Sequence, residues 1–180
     1  MMKDDLARIL ITKEQIAARV KELAADIKRD FGDEDLVMIC ILRGSCYFFA
    51  DLTKSLDNSV TLEFMSVSSY GSGTTSSGEV RINKDVSSPI EGKNVIVVED
   101  IIDTGYTLSY LKRILSERRP KTLKICTLLD KPSRREAEIE GDYVGFVIPN
   151  EFVVGYGLDY AQKYRNLPEV GVLKAEIYTK

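Results

Sequence analysis

Val95-Ile96-Val97-Val98-Glu99-Asp100-Ile101-Ile102-Asp103-Thr104-Gly105 is the stretch whose reading decides the fold. Four apolar residues run together without alternation, two acids follow, and Gly105 opens the next segment with Thr104 and Thr107 on either side. A strand apolar on both faces belongs inside a parallel sheet covered by helices, not in a sheet with one wet face. Leu108, Leu111 and Leu115 then recur at helical spacing, so the segment reads strand, tight turn, helix. A phosphate at that turn would meet the N–H groups of the helix start, the hydroxyls of Thr104 and Thr107 and the positive end of the helix dipole. Gly105 lets the backbone approach without a Cβ. The lysine of a triphosphate-binding loop is missing. Glu99 and Asp100 can accept hydrogen bonds from vicinal hydroxyls or hold a hydrated magnesium ion. A sugar phosphate suits both halves, whereas the acidic pair alone would suit a solvated turn equally well.

Outward from this stretch the same alternation continues. Thr12 and Gln15 form a capping box, and Ile16, Val20, Leu23, Ile27 and Phe31 recur at helical spacing until Gly32. Leu36–Leu42 is a continuous apolar run, followed by the turn Arg43-Gly44-Ser45 and a helical stretch through Phe49 and Leu52. Val60–Val67 reads as a strand. Residues 68–78 are too polar and glycine-rich to pack, and a long mobile loop is expected there. Leu123–Leu129, Tyr143–Ile148, Phe152–Val154 and Val172–Ile177 complete the expected strands. The pattern implies an α/β fold: a mostly parallel, twisted sheet flanked by helices, with right-handed crossovers. Ligands of such sheets bind beyond the carboxyl ends of the strands.

Composition narrows the chemistry. At 180 residues and 44% hydrophobic, the chain can bury one sizeable core, and a single domain over residues 1–180 is expected. A net charge of -3 provides no global field toward nucleic acid or an anionic membrane, so neither is an expected partner. Cys40, Cys46 and Cys126 lie in apolar stretches without metal-ligand spacing and read as reduced core residues. No run is long enough to cross a bilayer and the start carries acids, so a cytoplasmic location is expected. The count of histidines is 0, which removes Ser-His-Asp triads, Cys-His pairs and histidine-bound zinc together. Any general base must be a carboxylate, lysine, tyrosine or cysteine.

Val95 to Thr107 resembles the motif by which type I phosphoribosyltransferases bind 5-phosphoribosyl pyrophosphate (PRPP). Further matches from Leu36 to Arg165 are similar to the hypoxanthine-guanine branch of that family: Leu129-Asp130-Lys131-Pro132, the run from Pro149 to Tyr160, and Tyr164-Arg165. The resemblance implies the type I fold, with a small hood for the base contributed by the N- and C-terminal segments and a mobile lid at about residues 68–80. It implies that Glu99 and Asp100 hold the ribose hydroxyls, and that Asp103, Thr104, Gly105, Tyr106 and Thr107 hold the 5′-phosphate. Lys131 would donate to O6 of the purine, Phe152 would stack on its ring, and the Val153 backbone would meet the base edge. Asp159, with Glu99 and Asp100, would hold magnesium, and Arg165 would bind pyrophosphate. Arg43-Gly44 resembles the pyrophosphate loop, in which the Leu42–Arg43 peptide would be cis or switch between isomers; lysine is common where this chain has Arg43. Ser69-Tyr70 resembles the catalytic lid. Homodimers or homotetramers are implied.

The implied reaction moves the phosphoribosyl group of PRPP to N9 of hypoxanthine or guanine. Physical reasoning supports the branch, because a lysine donates and does not accept, which favours a 6-oxo over a 6-amino purine. Asp103 is the candidate to carry the base proton at N7, and Tyr70 to close over the pyrophosphate and exclude water from an oxocarbenium-like centre. Two other readings share the motif. One is a xanthine-preferring or pyrimidine transferase. The other is a PRPP-sensing regulator, which should carry a basic stripe, whereas Arg118-Arg119-Pro120-Lys121 and Arg134-Arg135 read as solvated charge clusters.

Overall fold

In a computed structural model of the chain, which describes residues 2–69 and 80–179, two sheets share the molecule. Strand β1 (Leu6–Ile11) leads into helix α1 (Lys13–Phe31), β2 (Leu36–Leu42), α2 (Cys46–Ser55), β3 (Val60–Ser69) and β4 (Val80–Lys84). Then come β5 (Asn94–Ile102), α3 (Tyr106–Ser116), β6 (Thr122–Asp130), β7 (Tyr143–Val147), β8 (Val153–Val154), β9 (Val170–Leu173) and the short α4 (Ala175–Tyr178). The larger sheet runs β4-β3-β2-β5-β6-β7, parallel throughout except for β4, which pairs antiparallel with β3 at one edge. The smaller sheet is antiparallel, in the order β1-β9-β8.

The unbroken apolar runs place the large sheet between helices. Alternate residues of one strand face opposite layers. Leu36, Met38 and Cys40 of β2 and Ile96 and Val98 of β5 pack with Val20, Leu23 and Ile27 of α1 and Phe48 and Leu52 of α2. Val37, Ile39, Val95 and Val97 turn the other way, onto Leu108, Leu111 and Leu115 of α3. Ile27 and Leu111 are both fully buried, and truncating either to alanine would cost about 2–5 kcal/mol. Thr12 caps α1 as expected, its hydroxyl accepting from the Gln15 N–H while its own N–H donates to Gln15 Oε1.

Several expectations are corrected. Val172–Ile177 is not one strand: β9 ends at Leu173, opposite Leu6 where its partner β1 begins, and without a partner the chain coils into α4. Strand β1 itself was not expected, nor was β4. Ser68 and Ser69, expected in the polar loop, belong to β3, with Ser69 paired to Val80; residues 70–79 of that expected loop lie outside the described residues. Only two residues of the expected strand at Phe152–Val154 pair, beginning at Val153. Cys40 and Cys126 are buried and free, but Cys46 is only partly so. Arg134 is exposed, as a solvated charge would be, although it pairs with Asp103; Arg135 is instead drawn in against Asp130, as described below.

Candidate functional site

Strands β2, β5 and β6 lie side by side and point the same way, so the turns that follow them converge at one edge of the sheet. From β5 come Glu99 and Asp100, both half-buried. The Asp100 N–H donates to Glu99 Oε1 at 3.1 Å, and the Ile101 N–H to Asp100 Oδ1 at 2.7 Å. Burial, then the neighbouring charge of Asp100, push the Glu99 carboxyl well above its usual range. Burial also raises Asp100, opposed by backbone donors and by the positive charge of Arg165. Among the described residues, no ion pair neutralises either acid, so this strand end is short of positive charge or hydroxyl donors.

Asp103, Thr104 and Gly105 turn the chain from β5 into α3. Gly105 sits at φ 87, and a Cβ there would lie 2.5 Å from Ile139 Cγ2, so the position accepts only glycine. The Gly105 carbonyl accepts from Ser109 N–H, which begins the helix ladder. A cleft of about 110 Å³ opens here, bordered by Glu99, Asp103, Thr104, Gly105, Thr107 and Leu108, with room for a phosphate-sized group. A larger hollow of about 800 Å³ is bordered by Lys112, Asp130, Arg135 and residues 137–142, and does not include Glu99 or Asp100 in its lining. Tyr106 is exposed, its hydroxyl bound to Glu136.

The turn is buttressed by residues the sequence left in a charge cluster. Arg134 Nε donates to Asp103 Oδ1 at 3.2 Å, and Arg135 Nε to the Asp103 carbonyl at 3.2 Å. Arg135 also grips Asp130 and the Ile139 carbonyl, while Glu136 and Ala137 N–H groups donate to the Thr104 carbonyl. Arg135 therefore holds the backbone of the phosphate turn, and Arg134 the side chain of Asp103.

Beyond β6, Lys131 is buried, its N–H donating to the Ile102 carbonyl and its amine to the Glu151 carbonyl at 2.9 Å. Burial lowers the amine's pKa. The next residue after Glu151 is Phe152, 38% exposed, whose ring stacks on Tyr178 at 4.7 Å and meets Tyr160 edge-on at 5.7 Å. Val153 is buried in β8. Lys131, Phe152 and Val153 thus share one corner, joined to the acidic turn through Ile102.

Residues 155–165 close the edge from the side. Gly155, Tyr156, Gly157, Ala161, Gln162 and Tyr164 all have positive φ, a conformation that non-glycine residues enter at a cost. A Cβ on Gly157 would lie 1.8 Å from the Gly44 carbonyl oxygen, and one on Gly44 would lie 1.5 Å from Asp100 Oδ2. These two glycines allow the turn after β2, the acid of β5 and the C-terminal loop to stack directly. Arg165 Nη1 donates to the Gly157 carbonyl at 2.7 Å, and its Nη2 pairs with Asp159 at 2.7 Å. The peptide Leu42–Arg43 is cis. Arg43 reaches across to Gln162 at 3.2 Å.

The edge therefore gathers Arg43, Gly44, Glu99, Asp100, Asp159 and Arg165 around the contact of Gly44 with Gly157. Residues 9–161 match the phosphoribosyl transferase domain. The chain belongs to the phosphoribosyl transferase family. It is 51% identical over 178 residues to the hypoxanthine-guanine phosphoribosyltransferase of Bacillus subtilis, covering 99% of each chain. It superposes on a hypoxanthine phosphoribosyltransferase from Staphylococcus aureus with a TM-score of 0.97 at 50% identity, covering 99% of this chain and 97% of that one. It is also 49% identical over 179 residues to the bifunctional protein TilS/HprT of Listeria monocytogenes, of which it spans 28% of the length.

Of the expected site residues of this transferase, Tyr70 lies outside the described residues, and Ser69 is placed only as the last paired residue of β3. Sequence reasoning missed Arg134, Arg135, Gly157 and Gln162. The Gly155-Tyr156-Gly157 spacing was a signal for a close approach, but nothing local in the sequence marks the other three.

Proposed function

We propose that this transferase moves the 5-phosphoribosyl group from PRPP to N9 of hypoxanthine or guanine, giving IMP or GMP and pyrophosphate, as a purine-salvage enzyme. The observation that carries the reading is the junction of a buried amine, Lys131, with an acidic strand end and a helix-start phosphate turn through one backbone hydrogen bond. Lys131 donates to O6, while Phe152 stacks on the base and the Val153 backbone meets its edge. A 6-amino purine would set its own donor against that ammonium, whose hydrogens beyond the one given to the Glu151 carbonyl would then find no acceptor on the base, which is costly. Glu99 and Asp100 accept from the ribose hydroxyls. The N–H groups at the start of α3, with Thr104, Gly105, Tyr106 and Thr107, hold the 5′-phosphate.

In the reaction the C1′–O bond to pyrophosphate breaks and the C1′–N9 bond forms, while Asp103 takes the base proton at N7. Arg134 holds that carboxylate at 3.2 Å, aimed from the turn after β5. Arg165, Arg43 and the Gly44 backbone receive the pyrophosphate. Ser69 and Tyr70 shield the reacting centre from water. The donor set suits magnesium, a hard ion that keeps most of its waters and takes one or two carboxylates plus substrate oxygens. The uncompensated Glu99–Asp100 pair is one such place. Asp159 is another, since each of its oxygens carries only one hydrogen-bond donor, from Arg165 or Gln162. Among the described residues no three acids lie close enough to hold one ion together, so magnesium would be held at either place by one or two carboxylates plus substrate oxygens, and would draw charge from the leaving pyrophosphate.

We read the β1-β9-β8 sheet as the hood over the base and the whole chain as one domain. A cytoplasmic homodimer or homotetramer fits. None of its helices among the described residues is long and apolar enough to cross a membrane, and Tyr47, Leu62 and Phe64 expose apolar surface on α2 and β3 suited to a second subunit. Mixing the protein with PRPP, magnesium and each purine in turn, and following pyrophosphate release, tests the reading. Turnover is expected with hypoxanthine and guanine and not with adenine; no turnover with any 6-oxopurine would overturn it.

A further inference from the structure

Two guanidinium groups from distant parts of the chain meet on one side-chain oxygen. Arg43, in the turn after β2, donates Nη1 to Gln162 Oε1 at 3.2 Å, and Arg165 donates Nη2 to the same oxygen at 3.3 Å. Like charges converge only where something offsets their repulsion; here the Asp159 carboxylate pairs with Arg165 alone, and the acceptor the two guanidiniums share is the amide oxygen of Gln162. The glutamine is itself fixed. Its N–H donates to Asp159 Oδ2 at 2.8 Å, and Asp159 Oδ1 pairs with Arg165 at 2.7 Å. Its backbone stands at φ 65 and that of Ala161 at φ 50, the two central positions of a tight turn closed by paired hydrogen bonds between Tyr160 and Lys163. That turn fixes where the Gln162 side chain starts and aims it at the two arginines.

We propose that Gln162 is a positioning residue that holds Arg43 and Arg165 side by side to receive the pyrophosphate end of PRPP, its neutral oxygen standing in for a phosphate oxygen until the anion arrives. This rests on the assignment of Arg43 and Arg165 to pyrophosphate made above. Neutrality matters to the design. A neutral acceptor aligns two guanidiniums without matching the pull of a phosphate, so the anion displaces it readily. An apolar side chain would let both long arginines move freely, and ordering them would then weaken binding.

The test uses the full chain, with steady-state kinetics and calorimetric titration of magnesium pyrophosphate, on Gln162→Leu, Gln162→Gly, Arg43→Met, Arg165→Met and the double variant Gln162→Leu with Arg43→Met. Gln162→Gly suits the positive φ, so a loss shared with Gln162→Leu does not come from strain. Both Gln162 variants are expected to raise the PRPP KM and the pyrophosphate Kd roughly 3–10-fold. Hypoxanthine KM and kcat should stay within about twofold, and the double variant within about twofold of Arg43→Met, since the same contact is lost. Unchanged PRPP binding in the Gln162 variants, alongside weakened binding in both arginine variants, would overturn the positioning role. A joint fall in kcat, hypoxanthine affinity and Tm would reduce Gln162 to a structural residue and overturn it equally. If neither arginine variant alters PRPP binding, the pyrophosphate assignment itself fails and the proposal goes with it.

Discussion

Glu99→Gln should make this protein more stable and less able to use PRPP, and the gain in stability should depend on pH. Glu99 follows the buried apolar run Val95–Val98 within β5, and its carboxyl is raised by burial and by the charge of Asp100. Because the folded-state pKa lies above the unfolded one, the folded protein binds more protons between the two values. Stability therefore falls as pH rises from the unfolded value, about 4.3, toward the raised one, so the penalty is larger at pH 8 than at pH 4. Glutamine keeps the shape and removes the charge. A buried polar group without a full set of partners costs about 1–3 kcal/mol, and partial contact with water places Glu99 toward the lower end. For a chain of this size that gain is roughly 2–6 °C in Tm. Thermal unfolding of both proteins at pH 8 and pH 4, without ligand, provides the assay. The variant should melt higher at pH 8 and lose that advantage at pH 4, where the wild-type acid is also protonated. Asp100→Asn should gain less, because Arg165 and the Ile101 N–H already offset its burial. A variant no more stable than wild type at pH 8, or equally stabilised at both pH values, would refute the charge argument.

Asp103→Asn keeps the turn and removes the proton acceptor, so kcat should fall about 10²–10⁴-fold with PRPP KM changed far less; unchanged turnover would exclude Asp103 as the proton carrier. Lys131→Met should raise the hypoxanthine KM roughly ten- to hundredfold with the Tm retained, as expected for loss of a charged hydrogen bond to O6. Since burial lowers the Lys131 pKa, the wild-type purine KM should begin to rise with pH below the ordinary lysine value of 10.5, and the Met variant should lack that limb. Gly157→Ala forces a Cβ to 1.8 Å from the Gly44 carbonyl at φ 105, so both Tm and PRPP affinity should drop; a variant with wild-type values would show that the contact between the two loops is dispensable.

The parts legible in the sequence are those whose cause is local. Val95–Val98 and Leu36–Leu42 are apolar on both faces because helices cover both, and that requirement is visible in composition alone. The turn from Glu99 to Thr107 was legible for a similar reason, since a strand end, a glycine and two hydroxyls are contiguous. Strand β1 was missed because Leu-Ala-Arg-Ile-Leu-Ile neither alternates nor runs unbroken, and its pairing partner β9 lies at the far end of the chain. The same distance explains Val172–Ile177: only knowing that β1 begins at Leu6 tells where β9 must stop. At the site, Arg134, Arg135 and Gln162 act through distances between loops. Their sequence neighbourhoods look like any solvated surface.

Residues that break local rules gather at one edge of the sheet, and their discomforts have complementary signs. Glu99 and Asp100 each accept one backbone N–H and, among the described residues, form no ion pair. Lys131 carries a buried amine with a single carbonyl to satisfy it. Arg43 and Arg165 converge on a neutral oxygen where an anion would serve better. A polyhydroxylated sugar joined to phosphate groups, with a magnesium ion and a 6-oxo base, offers donors and a cation to the acids, an acceptor to the amine and an anion to the arginines. The interior, by contrast, is made of strands and helices that obey pattern, propensity and packing together. Stability is thus built into the sheet, and the uncompensated charge left at its carboxyl edge would be relieved by such a ligand, which would direct binding energy to the groups around the reacting carbon.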